Sequence, residues 1–189
     1  MLLTSCRWPK EALLKAHAFP GLYTKLPDMS AFNDTRTPLE RCSLQYYTTV
    51  GAMPPVDQAP SLHAAAHLYA SDRNSLEITA LQCGFHRTNG SLASLGFTVV
   101  FHTPAQGFAF HESTAKPGEI GDEKWFVQEI STDRLGDGRG IHKSRIIGPD
   151  GKHVATTLQD GLVRIKFKDE KEASDVLKGL QSSKTIAKL

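Results

Sequence analysis

The stretch HVATTLQDGLVRIKF, residues 153–167, decides how this chain is read. As a strand it puts Ala155, Thr157, Gln159, Gly161, Val163, Ile165 and Phe167 on one face, because successive side chains point to opposite sides of a sheet. An uncharged amide in that row needs an explanation, since burying it without a hydrogen-bonding partner costs a few kcal/mol. Gln159 is held by neighbours, lies on the wet side of a half-buried strand, faces a pocket, or caps a bulge that Gly161 introduces into an edge strand.

Working upstream, residues 93–103, 125–132 and 140–147 are further strand candidates. The joints LGDGRG and GPDG supply the glycines of tight turns, so the last three strands form an antiparallel meander. RCSLQYYTTV, residues 41–50, is rich in aromatic and β-branched residues and makes a first strand, ended by the GAMPPVDQAP loop. Pro60 and Ser61 then open a helix whose Leu62, Ala65, Ala66, Tyr69 and Ala70 recur at helical spacing as one apolar stripe. Strand, helix and a run of strands give an α+β fold, with one helix packed on one face of an antiparallel sheet.

Length and 40% hydrophobic content allow one proper core. Residues 1–40, with widely spaced prolines and a short helical patch at 10–17, read as an extended arm. Residues 41–168 are the folded domain, and 169–189 are a short helix followed by a polar tail. A net charge of +2 from 22 bases and 20 acids gives no basic stripe for nucleic acid. No apolar run approaches a membrane span, and the N-terminus has too short a run for a signal peptide. Three cysteines without a CxxC pair point to a reducing compartment and away from zinc. The final Ala187, Lys188 and Leu189 lie close to the SKL address and predict recognition by the peroxisomal import receptor, hence a peroxisomal location.

His63 and His67 are four apart on one helix face, as metal ligands can be, but no HExxH glutamate or third ligand accompanies them, so neither metal nor cofactor is expected. Cys83 in LQCGF has no nucleophile context and reads as a core or solvated thiol. The glycines of GDGRG join two strands instead of opening a helix, which makes them a hairpin turn and not a phosphate cradle. The connection at 103–124 is long enough to be a lid over a ligand.

HLYASDRNSLE, then SLASLGFTVVFH, then KWFVQEISTDRLGDGRGIHKSRIIGPDGKHVATTLQDGLVR together resemble the second half of the acyl-CoA thioesterase II family, whose members carry two fused hotdog domains. The resemblance covers residues 41–167 and implies a single hotdog fold that hydrolyses acyl-CoA to free acid and CoA. In such a site water attacks the thioester carbonyl, held by a carboxylate, a hydroxyl and the Gln of a QEG motif. The resemblance assigns the glutamine to Gln159, with Asp160 in place of the usual glutamate, and the hydroxyl to Thr132 or to Asp133 one residue on. It assigns the carboxylate to a strand position where this chain has Gly96, followed by Phe97.

Gly96, Ser61 and Gly161 complete the expected substrate contacts, the start of the Ser61 helix lending its positive end to the carbonyl oxygen or to CoA phosphate. A glycine cannot polarise water. Either Asp133 or another acid supplies the charge, or the scaffold is a catalytically impaired acyl-thioester-binding or partner subunit. About 40 residues replace the family's first hotdog, so the domain is expected to pair with a copy of itself as a homodimer or with a separate partner; a truncated, inactive product is the remaining alternative.

Overall fold

The structure, a computed structural model, describes residues 21–51, 53–73, 75–85, 90–110, 124–166, 170, 171 and 174. Six strands form one antiparallel sheet. They are β1 (Leu22–Lys25), β2 (Cys42–Thr49), β3 (Ser91–Phe101), β4 (Phe126–Gly136), β5 (Arg139–Ile147) and β6 (His153–Arg164), in the spatial order β1-β2-β4-β5-β6-β3. The expected meander is β4-β5-β6. Its first turn carries Asp137 at φ 53° and Gly138 at φ 72°, two consecutive left-handed residues of the kind a tight right-twisted hairpin requires.

A short helix α1 (Ser30–Asn33) precedes β2, and two helices, α2 (Pro60–Asp72) and α3 (Ser75–Gln82), cover one face of the sheet. The chain is therefore α+β, as expected. The expected central helix is α2, and a second helix, α3, follows it directly. Arg73 is extended (φ −68°, ψ 127°), which ends α2 before Ser75 opens α3.

The extended arm expected over residues 1–40 is corrected in its second half. Leu22 to Lys25 pair with Tyr46 to Thr49, and Leu22 is buried in the core, because the alternation of LYTK fits a half-buried edge strand. Residues 1–20 and the targeting tripeptide 187–189 lie outside the described residues, as do 111–123 of the expected lid and most of the expected C-terminal helix. The FAF at 108–110 belongs to no lid: Phe108, Ala109 and Phe110 are buried, and both phenylalanines join the main core with Tyr47, Phe126, Ile146 and Val154.

The buried face of α2 also differs from the apolar stripe. Leu62 and Tyr69 are 48% and 42% exposed, while His63, His67, Ala70 and Ser71 are buried. The reason is that the histidines are fully partnered. Tyr47 donates its hydroxyl to His67 Nδ1 (2.7 Å), so Nε2 carries the proton and donates it to the Phe108 carbonyl (2.7 Å). The Phe110 amide donates to His63 Nδ1 (3.1 Å), and His63 Nε2 donates to the Pro54 carbonyl (2.9 Å). Rings of Phe110 and Phe126 lie 4.4 and 4.5 Å from the His67 ring, and burial lowers its pKa from 6.5 to about 4. Hydropathy alone counts such residues as polar; a neutral, satisfied imidazole packs as a ring.

Candidate active site

Gln159 is fully buried on the helix-facing side of β6. Its amide is completely used. Nε2 donates to Asp72 Oδ1 (2.5 Å) and to Ser94 Oγ (2.6 Å), and the Ser75 hydroxyl donates to Oε1. A carboxylate only accepts, which fixes the orientation of the carboxamide. Ser94 in turn donates to Asp72 Oδ1 (3.2 Å), so both contacts converge on one carboxylate oxygen and leave Oδ2 outside this cluster.

Three remote segments build this cluster. Asp72 is the last residue of α2, and Ser75, the first of α3, reaches back to the Asp72 carbonyl (2.8 Å), holding the break between the helices together. Ser94 lies at a register shift of β3: it pairs with Gly161, while Gly96 pairs with Asp160 and Leu95 is skipped. Gly161 leaves room on that face. A Cβ there would meet Leu76 Cδ1 at 2.5 Å and the Ala93 carbonyl at 3.0 Å. Beside the cluster is an open cavity of about 240 Å³ lined by Asp72, Ser75, Leu76, Glu77, Leu92, Ala93 and Ser94. Gln159 lies beneath this cavity and grips the side chains that face it.

Position 96, where the resemblance puts the family's carboxylate and this chain has glycine, faces away from Gln159. Gly96 pairs with Asp160, which is half-exposed and bound to Arg139, whereas Phe97 pairs with Gln159. Alternation puts a side chain at position 96 on the opposite face from Gln159. The acid that meets Gln159 comes from a helix end instead. Its signal was present in YASDRNS: an acid and two serines clustered where a helix must break, residue types that favour helix ends.

Thr132 and Asp133 are also not part of this cluster. Thr132 is buried but donates to Gln82 Oε1 (2.6 Å); across the sheet it pairs with His142, which pairs with Gln159, so the two lie two strands apart, roughly 10 Å. Asp133 is exposed at the register shift of β4. Ser61 is exposed in the first turn of α2, about 16 Å along the helix from Asp72. The helix start that borders the cavity belongs to α3.

His142 is fully buried between Thr132 and Gln159, and neither ring nitrogen has a hydrogen-bond partner among the described residues. Burial lowers its pKa to about 4 against the pull of the Asp72 charge. The Cys83 thiol is buried and pushed up to about 11, which keeps it protonated and unreactive. Among the described residues no three His, Cys, Asp or Glu side chains are grouped as a metal site, and no helix is long and apolar enough to cross a membrane.

Residues 29–163 match the family described as the acyl-CoA thioesterase C-terminal domain. The chain belongs to that family. Similar solved structures include an acyl-CoA thioesterase II from Mycobacterium marinum (20% identity, TM-score 0.56, covering 86% of this chain and 59% of that one). A tesB protein from Mycobacterium avium subspecies paratuberculosis is similar at 13% identity and TM-score 0.54, over 82% and 54% of the two chains. A hot dog fold protein of unknown function from Alicyclobacillus acidocaldarius is similar at 13% identity and TM-score 0.52, over 85% and 54%. At these identities the structures establish the fold, which is the hotdog fold expected from the sequence. The chain spans less than two thirds of the length of each of the three. Among curated proteins, none matches it by sequence.

Proposed function

We propose that this chain is an acyl-CoA thioesterase, hydrolysing acyl-CoA to free acid and CoA, with Asp72 as general base. The observation that carries the reading is the buried Gln159 amide donating to a carboxylate at the edge of a cavity. Water held on Asp72 Oδ2 gives up a proton to the carboxylate as its oxygen bonds to the thioester carbon. The tetrahedral intermediate then expels the CoA thiolate, which takes that proton back from Asp72. Backbone N–H groups in the first turn of α3 stabilise the oxyanion, since they lack partners within the helix and carry its positive end. Gln159 and Ser94 fix the carboxylate without touching the thioester, which makes Gln159 a positioning residue.

The alternative, an acyl-thioester binder, draws its support from Gly96; Asp72 as the base is what favours the enzyme reading. The two are separated by following thiol release from purified protein with short, branched and long acyl-CoAs. The enzyme reading expects turnover that falls about 10- to 100-fold in Gln159→Ala and survives a surface substitution such as Lys152→Ala. Tight acyl-CoA binding with no thiol released by wild type supports the binder.

The site further supports a homodimer. β3 is an 11-residue edge strand with Leu92, Leu95 and Val100 43–57% exposed, and the cavity lies along this edge. A second copy paired there would roof the site; sedimentation showing a monomer that still turns over substrate argues against it. Peroxisomal import through Ala187, Lys188 and Leu189 completes the proposal, and a fluorescent fusion lacking Leu189 that stays punctate removes it.

A further inference from the structure

The cavity beside Asp72 has two chemically different kinds of lining. Asp72, Ser75, Glu77 and Ser94 supply its polar lining; Leu76, Leu92 and Ala93 supply its apolar lining. Leu76 is 6% exposed, and both its terminal methyls occupy the space that Gly161 leaves by lacking a side chain. Behind it lie Ala80 and Val163, with Phe85, Leu135 and Ile165 packed against them. One leucine thus separates the reaction site from an apolar layer beneath α3.

Size decides what the cavity takes. An apolar cavity of about 150 Å³ holds one benzene, six carbons; by that scale the part of a ligand lying inside this open cleft of about 240 Å³ is about nine or ten heavy atoms. The thioester oxygen and sulfur use two of them, which leaves room for about seven or eight acyl carbons.

We propose that Leu76 is the stop that sets acyl length at this site, restricting it to short acyl thioesters of up to about eight carbons. This rests on the thioesterase reading above. Truncating Leu76 opens the cavity onto the bare backbone of Gly161 and the apolar layer behind it, giving room for about three more carbons. Adding a methyl at Gly161 works in the opposite sense, because it drives the Leu76 methyls toward the cavity.

The test is kcat/KM over straight-chain acyl-CoAs of about two to sixteen carbons for wild type, Leu76→Val, Leu76→Ala and Gly161→Ala, with a melting curve for each. The expected wild-type profile falls at least about 10-fold beyond eight carbons. Leu76→Val and Leu76→Ala move the optimum to longer chains by about one and three carbons. Gly161→Ala moves it to shorter chains. Leu76→Val removes least and carries the test if Leu76→Ala fails to fold. A wild type that prefers long chains, or variant profiles parallel to wild type, overturns the assignment of Leu76 alone. A wild type that releases no thiol from any acyl-CoA overturns the thioesterase reading and this one with it.

Discussion

The two ends of α2 both bury polar side chains, yet they are built to opposite rules. At the N-terminal end His63 and His67 have every ring nitrogen matched, and aromatic rings close around His67. At the C-terminal end the contacts of Asp72 with Gln159 and Ser94 both fall on one oxygen among the described residues, with a cavity beside it. The difference teaches how to tell structure from chemistry: a polar group with all its valences met inside the protein has none left for a substrate, whereas one gripped on a single side can still act on a ligand.

The sharpest way to break this comparison is to neutralise the open end. Asp72→Asn keeps the shape of the side chain and removes the base, so kcat/KM should fall about 10² to 10⁴-fold, with a melting temperature close to wild type. Equal activity in the variant would return Asp72 to a structural role.

Acid tests the closed end, together with His142. Both His67 and His142 have pKa values lowered from 6.5 to about 4 by burial. Between those values the unfolded chain binds protons that the folded chain refuses. Stability is therefore complete above about pH 6.5 and drains away as pH falls toward 4, by about 3 kcal/mol for each histidine. Denaturant midpoints measured across that range check it. In His67→Phe, which also strands the Tyr47 hydroxyl and the Phe108 carbonyl, the remaining slope should be roughly half.

The smallest expected effect lies at Thr132. Thr132→Val removes its hydrogen bond to Gln82 and leaves the Asp72 cluster intact, costing about 1 kcal/mol of stability and changing kcat/KM less than about threefold. A loss of 100-fold or more would bring Thr132 back into the mechanism.

Much of the sheet was legible because its signals are local: alternation in β2 and β4 to β6, and glycines at the hairpin turns. Gln159 stood out for the same reason, as an amide in a row that alternation places on one face. What was not legible depends on contacts between distant segments. The exposed stripe of α2 looked buried, since sequence hydropathy cannot know that Tyr47, Pro54, Phe108 and Phe110 will satisfy two histidines. Asp72 was overlooked because a helix end and a strand 87 residues later meet only in three dimensions. The register shift that pairs Ser94 with Gly161 was hidden as well: skipping one residue reverses which side of β3 faces in, and no residue type in SLASLG announces it.

The strand β3 returns from the far side of two helices to pair with β6, and Ser94 and Gln159 are 65 residues apart in sequence. The meander β4-β5-β6 closes through short turns, so it can form early, while the pairing of β3 with β6 must wait for a much longer loop to close. Assembly of the reacting cluster is thus among the late events of folding, and fraying of one sheet margin is enough to take it apart with the core still intact. Amide exchange along β3 and loss of turnover in mild denaturant should accordingly run together, ahead of exchange in β4 and β5.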